Sequence, residues 1–307
     1  MDRDGIIRET GGGGYLVRLD SGEEVEATLR GRLKRGGRGA ERVVIGDRVR
    51  VRVGSSGATI EEIGARSSVI ARRTMGGRRE KAIAANLDRL VVVMAARSPD
   101  PTLATIDRFL VTAEAGGLLG VLVINKMDLE GARQVGRGLK ERYEKVGYPV
   151  LLVSAVSGEG MDSFRELLCR GTSALVGPSG VGKSTLLNAL DPALGLRTRT
   201  LSRKLDRGRH TTVSARLITL ECGGEVADTP GFSEVGVWGA DVDSLDRCFP
   251  EFQPYLEDCR FRGCSHTVEP DCAVQAAVEE GAIYRGRYES YLTLLQEAQA
   301  AEPDPGA

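Results

Sequence analysis

The chain has 307 residues, of which 28% are charged and 41% are hydrophobic, and its formal net charge is -1. This length allows two or three domains, each with a core of its own. No apolar run approaches the ~18 residues of a membrane-spanning helix, and the polar start of the chain shows no secretory pattern. We therefore expect a multidomain, monomeric cytoplasmic protein with no membrane partner. Because that compartment is reducing, we expect its six cysteines to stay out of disulfides.

The charge is distributed unevenly along the chain. Residues 1–81 carry 18 Lys and Arg against 12 Asp and Glu, whereas residues 82–307 carry 24 against 31. The excess is concentrated in residues 30–81, with 15 basic residues against 5 acidic ones. A net charge of +10 over this stretch indicates a polyanionic partner. A merely solvated basic surface is the alternative, and composition alone does not decide between the two.

The N-terminal part has the pattern of short β-strands. Alternating apolar residues at 15–19 and 25–29, with a polar turn between them, predict a hairpin. At 48–53 valines alternate with arginines, which would point outward. Residues 1–70 are therefore predicted to form a small β-barrel of OB or SH3-like type, which we take as an RNA-binding OB-fold whose arginines could follow a phosphate backbone. Residues 66–81 are interpreted as a mobile basic linker that could also contact RNA.

Residues 71–240 alternate between apolar strands and amphipathic helices, which is typical of an α/β domain with a parallel sheet. A buried strand at 90–94 precedes a helix at 103–115, which Gly116 and Gly117 end. Further elements are a strand at 121–124, a helix around 133–146, and strands at 150–153, 217–220 and 225–227.

A glycine-rich loop follows another apolar strand and matches the pattern G-x-x-x-x-G-K-S. Such loops turn backbone N–H groups onto phosphate oxygens, and the positive end of the helix at 183–190 adds to the attraction. Lys183 would reach the outer phosphates, and Ser184 would bind Mg²⁺. A purely structural glycine turn is the alternative, but strand, loop, Lys-Ser pair and helix occur in the required order. The predicted phosphate-binding residues are Gly177, Pro178, Ser179, Gly180, Val181, Gly182, Lys183, Ser184 and Thr185.

A second motif, N-K-x-D, stands at the end of the strand 121–124. Asp128 can accept hydrogen bonds from the ring N–H and the exocyclic amine of guanine, a pair that adenine lacks. Asn125 would hold the loop in place, and the stem of Lys126 would cover the base. The Ser154-Ala155 pair ends the strand 150–153, and the Ala155 N–H could bond the guanine carbonyl. Alone, N-K-x-D is a weak motif, but beside a phosphate-binding loop it becomes a strong indication of a guanine site.

Two segments after the phosphate loop have the character of nucleotide switches. In the first, Gly208 to Thr212, one threonine hydroxyl would complete the Mg²⁺ coordination when the γ-phosphate is present; Thr212 is the first candidate and Thr211 the second. In the second, Asp228 would hold Mg²⁺ through water, and the Gly231 N–H would contact the γ-phosphate.

The motifs are those of a GTPase, but the base-recognition elements precede the phosphate loop, which indicates a circular permutation. With a basic barrel before this core and a cysteine cluster after it, the chain resembles the ribosome small-subunit-dependent GTPase A family over essentially its whole length. The segments that carry the resemblance are 84–88, 125–128, 176–185, 208–212, 228–231 and the cluster. The resemblance implies GTP hydrolysis with Mg²⁺, slow alone and stimulated by the small ribosomal subunit, in late maturation of that subunit with binding to its rRNA.

The cluster has the spacing C-x4-C-x-H-x5-C. Its three thiolates and one imidazole, from Cys259, Cys264, His266 and Cys272, would close a tetrahedral structural zinc site. This spacing departs from the commoner C-x-x-C pair, but the family resemblance implies zinc here. We therefore expect one structural zinc in a mostly helical domain at 241–307. The remaining three cysteines, Cys169, Cys222 and Cys248, are interpreted as small buried residues.

The group that orients the attacking water is the least defined part of the site. Ras-like enzymes place a Gln directly after the D-x-x-G glycine, whereas this chain has Phe232 there. His210, in the first switch, is the catalytic candidate, together with Thr212 and Thr211. A solvated loop histidine is the alternative.

The motifs do not restrict the function to ribosome-stimulated hydrolysis alone. A metabolic P-loop enzyme is disfavoured because no second substrate site is visible and Asp128 argues for guanine. The sequence is also compatible with a GTP-dependent ribosome-binding scaffold, and with a permuted GTPase that acts on another RNA or ribosomal target.

Overall fold

The computed structural model describes residues 2–31, 42–54, 57–73, 80–196, 215–229 and 242–301. In chain order these residues form a β-barrel, a small hairpin, an α/β sheet and a set of helices. The multidomain architecture expected from the sequence is confirmed. No helix in these ranges is long and apolar enough to cross a membrane.

Five strands form the N-terminal barrel. They are β1 (Asp2–Gly11), β2 (Gly14–Leu19), β3 (Glu24–Leu29), β4 (Arg48–Gly54) and β5 (Gly57–Ile63). Their order is β1-β2-β3-β5-β4, and pairing of β1 with β4 closes the barrel. β3 and β5 run parallel, while the other neighbours are antiparallel. This closed five-stranded order is that of an OB-fold, as predicted.

The arginines of β4 point outward, but each is paired with carboxylates of neighbouring strands. The partners are Asp20 for Arg48, Asp4 and Glu62 for Arg50, and Asp2 and Glu61 for Arg52, at 3.0–3.5 Å. These guanidinium groups therefore have carboxylate partners within the barrel, and their side chains remain about half exposed. The basic residues of 32–41 and 74–79 lie outside the described residues.

The segment interpreted as a mobile linker contains two paired strands. β6 (Val69–Arg73) and β7 (Glu80–Ala85) are antiparallel. Asn86, which follows β7, donates its side-chain amide to the Gly46 carbonyl and accepts from the Ser67 N–H. The linker interpretation was wrong for residues 69–73 and 80–81, because the basic composition hid two short apolar runs, at 69–71 and 82–85, that pair across the hairpin.

The α/β domain follows. Its elements are β8 (Arg89–Ala95), α1 (Leu103–Ala115), β9 (Leu119–Asn125), α2 (Ala132–Val146), β10 (Val150–Leu152), α3 (Met161–Leu168), β11 (Thr172–Val176), α4 (Lys183–Leu190), β12 (Ala215–Thr219) and β13 (Glu225–Asp228). The strand order is β10-β9-β8-β11-β13-β12; the first five strands are parallel and β12 is antiparallel. The predicted elements are confirmed, and α3 is an additional helix.

The barrel and the α/β domain share one continuous sheet. β1 pairs antiparallel with β12 through Glu9 opposite Arg216 and Thr10 opposite Ala215. The barrel strands and the α/β strands thereby form an eleven-stranded sheet. The barrel is consequently attached to the edge strand of the nucleotide domain by backbone hydrogen bonds as well as by side chains.

The C-terminal part is helical, as expected. α5 (Gln253–Leu256), α6 (Ala273–Glu279) and α7 (Arg285–Ala301) enclose a core that includes Phe249, Phe252 and Tyr291, with Val111 of α1. A buried arginine, Arg287, joins this core to the α/β domain. It donates to Asp107 of α1 at 2.8 Å and to Glu251 at 2.6 Å.

The cysteine expectations were wrong for two residues: Cys169 is half-buried and Cys222 is exposed, and the two are not free. Cys169, at the end of α3, and Cys222, in the turn between β12 and β13, form a disulfide with their Cα atoms 5.5 Å apart. The expectation rested on the compartment, whereas pairing also requires that the two backbones lie within reach. Here the turn packs against the end of α3, since the Glu225 N–H donates to the Gly171 carbonyl. Cys248 is free and buried, as interpreted.

Candidate nucleotide site and metal centre

The predicted nucleotide-binding segments converge at one edge of the sheet. β8, β9, β10, β11 and β13 are parallel, so their carboxyl ends lie together. This is the edge at which open α/β sheets bind ligands. The segments that follow these strands are 97–102, 126–131, 153–160, 177–182 and the residues after Asp228.

The loop after β11 needs its glycines for close backbone approach. Gly177, Gly180 and Gly182 have φ values of 144°, 83° and 100°, which L side chains rarely adopt. A Cβ on Gly177 would collide with the Val93 carbonyl, and one on Gly182 would collide with the Asn125 amide. α4 then begins at Lys183, and no described side chain caps its first turn. The free N–H groups of such a turn are suited to phosphate oxygens.

Lys183 folds back over this loop. Its ammonium group donates to the carbonyls of Gly177 at 2.6 Å and Pro178 at 3.0 Å. Burial lowers the pKa of Lys183 to about 8, from a usual value of 10.5. A phosphate group at this position would offer the charge that the two carbonyls lack.

Asn125 joins three of the converging segments. Its amide donates to the Val181 carbonyl of the phosphate loop at 2.9 Å, and its oxygen accepts from the Ala155 N–H at 3.3 Å. The residue is buried at the end of β9. The structure therefore ties the N-K-x-D segment and the Ser154-Ala155 pair to the phosphate loop through one side chain.

Asp128 is held in place by Ser154. The serine hydroxyl donates to Asp128 Oδ1 at 2.5 Å and accepts from the N–H groups of Val156 and Ser157 at 3.2 and 3.0 Å. Asp128 is itself exposed. Its carboxylate is thus oriented and accessible, as a group that binds a base edge must be.

Sequence reasoning missed the loop after β8. The ammonium group of Lys126 donates to the Ser98 carbonyl, and Arg97 pairs with Asp100 at 3.0 Å. Pro99 lies beside Gly180 of the phosphate loop. The available signal was positional: Ser98-Pro99-Asp100 stands directly at the carboxyl end of a buried strand, where ligand contacts are expected.

The structure describes two of the predicted Mg²⁺ ligands, Ser184 and Asp228. Asp228 ends β13, which lies next to β11 and so beside the phosphate loop. Its carboxylate accepts from the Arg216 Nε at 3.2 Å. Ser184 is half-buried in the first turn of α4. The remaining predicted residues lie outside the described residues: His210, Thr211, Thr212, Gly231 and Phe232.

Comparison with known proteins identifies the family. The RsgA GTPase family model matches residues 63–238. The chain belongs to the RsgA GTPase family. "Small ribosomal subunit biogenesis GTPase RsgA" of Gemmatimonas aurantiaca is 48% identical over 95% of this chain and 96% of its own length. The protein of the same name from Moorella thermoacetica is 41% identical over 97% and 98%.

Two solved structures agree with this RsgA assignment. YjeQ from Thermotoga maritima has a TM-score of 0.79 and 33% identity, and the match covers 97% of this chain and 99% of that one. YloQ, described as a circularly permuted GTPase, has a TM-score of 0.74 and 29% identity, with 99% and 97% covered. This RsgA family member is a GTP-hydrolysing enzyme with a circularly permuted GTPase domain, and the family implies Mg²⁺ with the nucleotide.

The Cys and His residues predicted as zinc ligands come together. The ligand atoms of Cys259, Cys264, His266 and Cys272 all lie within 4.8 Å of one another. His266 Nδ1 is 3.6 Å from the Cys259 sulfur and 3.4 Å from the Cys272 sulfur, and the two sulfurs are 4.0 Å apart. A tetrahedron with metal–sulfur bonds of about 2.3 Å has edges of about 3.3–3.8 Å. This group of side chains could therefore hold a metal ion.

The other nitrogen of His266 faces a carboxylate. His266 Nε2 is buried and lies 3.6 Å from Asp246 Oδ2, with no hydrogen-bond partner among the described residues. Ligating histidines commonly present their second ring nitrogen to such an oxygen. The imidazole is also enclosed by the rings of Phe252 and Tyr291.

Proposed function

We propose that this RsgA family member hydrolyses GTP during late maturation of the small ribosomal subunit. The observation that supports guanine binding is the pair of hydrogen bonds made by Asn125. They connect the N-K-x-D segment to Ala155 and to the phosphate loop. The ribosomal part is supported by the relatives named above, which are small-subunit biogenesis GTPases matched over nearly their whole length.

Each predicted residue has a role in this proposal. Backbone N–H groups of the phosphate loop and Lys183 hold the phosphates, and Asp128 selects guanine. Mg²⁺, which neutralises phosphate charge when bound, would be held by Ser184, Asp228 and Thr212, or Thr211 in place of Thr212. The proposed GTP-binding residues are Asn125, Lys126, Asp128, Ser154, Ala155, residues 177–185, Asp228 and Gly231.

The isolated enzyme is slow in this proposal. Phe232 occupies the place of the water-orienting Gln of Ras-like enzymes, and an apolar ring cannot accept a proton or a hydrogen bond from water. His210 supplies that function when the partner is bound.

The proposed structural metal lies in the loop between two C-terminal helices. Cys259, Cys264, His266 and Cys272 would hold one zinc ion, which cross-links the loop 259–272. The same loop is supported by Tyr288 and Tyr291, whose hydroxyl groups donate to the carbonyls of His266 and Ser265 at 2.7 and 2.8 Å.

The small ribosomal subunit is the proposed partner and activator. The N-terminal barrel and the helical domain, which flank the GTPase domain along the chain, would contact its rRNA. The protein would act in the cytoplasm as a monomer. A GTP-dependent scaffold without catalytic turnover is the alternative.

Hydrolysis and cosedimentation with separated ribosomal subunits test the proposal. We expect stimulation by the small subunit alone, tight binding with a non-hydrolysable GTP analogue and weak binding with GDP. Equal stimulation by the large subunit, or no stimulation, would overturn the ribosomal part. Tight nucleotide-dependent binding with only a single turnover would favour the scaffold.

A further inference from the structure

The contact between the barrel and the GTPase domain is centred on one glutamate. Glu225, at the start of β13, forms ion pairs with Arg8 of β1 and with Arg18 of β2, the latter at 2.6 Å. The side chains of Glu225 and Arg8 are only 12% and 6% exposed. Arg8 also donates to the Leu217 carbonyl at 2.9 Å and to the Thr219 hydroxyl at 2.6 Å, both on β12. Arg8 therefore holds both strands of the β12–β13 hairpin.

This hairpin is the part of the sheet that leads to the Mg²⁺ side of the nucleotide site. β12 starts three residues after Thr212, and β13 ends at Asp228. Glu9, Arg216 and Asp228 occupy opposite positions on β1, β12 and β13, so a row of three residues crosses from the barrel to the site. Within this row the Arg216 side chain contacts the Asp228 carboxylate. Any shift of the hairpin against β1 moves Asp228 with it.

We propose that Arg8 and Arg18 of the barrel, acting through Glu225, are positioning residues for the Mg²⁺ carboxylate of Asp228. The inference rests on the proposed role of Asp228. Removing Glu225 leaves the Arg8 guanidinium without its carboxylate in a poorly hydrated contact, and removing Arg8 leaves Glu225 with Arg18 alone. A buried charge that has lost a partner turns toward water or draws water in. β12 has four residue pairs with β13 but only two with β1, so these side chains supply much of the attachment between the barrel and the hairpin.

The readout is the Mg²⁺ dependence of nucleotide retention, because a purely structural role would not change it. Full-length variants Arg8→Met and Glu225→Gln are compared with the wild type by following a fluorescent GTP analogue across a Mg²⁺ titration. Arg3→Met is the matched control: Arg3 lies on the same strand, but its partner Glu23 belongs to the barrel. Asp228→Asn reports on the Mg²⁺ site itself.

We expect Arg8→Met and Glu225→Gln to raise the half-saturating Mg²⁺ concentration about tenfold, a typical effect of residues that support a metal ligand. Arg3→Met should change this concentration by less than about twofold. Arg8→Lys keeps the charge but not the planar guanidinium with its several N–H donors, so it should raise the concentration less than Arg8→Met. Binding measured in EDTA should be unchanged, because the phosphate loop is not part of the hairpin. Thermal melting confirms that each variant is folded at the assay temperature.

If Arg8→Met does not fold, Arg18→Met replaces it, since Arg18 is one-third exposed; a smaller shift in the same direction is expected. An unchanged Mg²⁺ midpoint in the folded variants, with a shifted midpoint in Asp228→Asn, would overturn the inference and leave the proposed function intact. An unchanged midpoint in Asp228→Asn would overturn the Asp228 assignment and the inference with it.

Discussion

Single side chains decide how the nucleotide site is assembled. Asn125 links the N-K-x-D segment to the phosphate loop, and Ser154 orients Asp128. The ammonium group of Lys183 donates to carbonyl groups of the loop. Each of these residues was identified from a short motif, because hydrogen bonds to a nucleotide require fixed residue types at fixed spacings. Ser98 and Arg216 belong to no such motif, and only their neighbours in space show their connection to the site.

The first residue-scale prediction concerns base selectivity. Asp128→Asn replaces the proposed acceptor of two guanine N–H groups with a side chain that could pair with only one. We expect the preference for GTP over ATP to fall about 10–100-fold, the effect of leaving a polar group unpaired. Competition of GTP and ATP against fluorescent GDP measures it. Asp162→Asn, an exposed acid in the first turn of α3, is the control. An unchanged preference would place the base elsewhere.

The second prediction concerns proton uptake by Lys183 when GTP binds. In the unbound protein burial lowers the pKa of Lys183 to about 8. Bound phosphates favour the ammonium form and raise that pKa again, so GTP binding should take up a proton between pH 8 and the higher pKa of the complex. Affinity should be constant below that window and fall as pH rises through it. Calorimetry in buffers of different ionisation enthalpy measures the uptake.

The control for the proton prediction is Lys145→Met, which removes an exposed lysine in the last turn of α2 and should leave the uptake unchanged. Absence of proton uptake at about pH 9 in the wild-type protein would show that Lys183 is already charged before GTP binds.

The third prediction concerns the metal centre. Asp246 faces Nε2 of His266, so Asp246→Asn should weaken zinc binding about 10–100-fold, as is usual for partners of a ligating histidine. Competition with a chromophoric chelator measures the affinity. Asp243→Asn, an exposed neighbour of similar position, should bind zinc like the wild type. Equal zinc affinities in the two variants would exclude a role for Asp246.

At the scale of elements, α1 and α7 show how the helical domain is fastened to the GTPase domain. Burial alone would lower the pKa of Arg287, but Asp107 and Glu251 hold it well above its usual value. Asp107 also accepts from the Tyr143 hydroxyl of α2 at 2.6 Å. At the helix surface Arg108 forms two hydrogen bonds to Glu297, at 2.5 and 2.7 Å. The amphipathic patterns of these helices were evident, but their polar buried residues were not.

Arg287→Met tests how much these buried ion pairs stabilise the protein. It leaves Asp107 and Glu251 without their buried cation, so we expect the free energy of unfolding to fall by about 3–5 kcal/mol. Denaturant unfolding measures it. The control Arg285→Met removes an exposed arginine two residues away and should change stability by less than about 0.5 kcal/mol. A loss below about 1 kcal/mol for Arg287→Met would show that the network adds little.

At the scale of the whole molecule, the barrel and the GTPase domain share a sheet. Besides the β1–β12 pairs, Gly46 of the barrel contacts the backbone at Ala85, and Asn86 bonds the Gly46 carbonyl. A barrel attached in this way is a structural support of the GTPase domain as well as a surface for a partner.

Removing the barrel should therefore harm the core. Deletion of residues 1–64, which keeps β6, exposes the edge of β12 and leaves Glu225 without Arg8 and Arg18, so we expect a lower melting temperature and weaker nucleotide binding. Replacing Arg32, Lys34, Arg35 and Arg38 by Ser in the full chain is the matched comparison, and should lower only salt-dependent binding to the small subunit. A deleted protein with wild-type melting and nucleotide affinity would contradict the structural role.

The sequence by itself determined the three-part architecture, the OB barrel, the permuted GTPase order and the Cys and His cluster that could hold a metal. These features depend on local patterns: strand alternation, helical spacing, and ligand residues within a few positions of one another. The hairpin at 69–85 and the additional helix α3 were missed because their patterns are short and weakly apolar.

The tertiary structure alone decided how the parts are joined. Arg8 and Leu217 are 209 residues apart, Asp107 and Arg287 are 180 apart, and Cys169 and Cys222 are 53 apart. The energy of each contact depends on which surfaces the packed core brings together, and an isolated Arg, Glu or Cys has no local pattern that specifies its partner. For the same reason the sequence did not reveal the carboxylate partners of the β4 arginines: they lie on other strands or in the turn after β2, and only the fold brings them within reach.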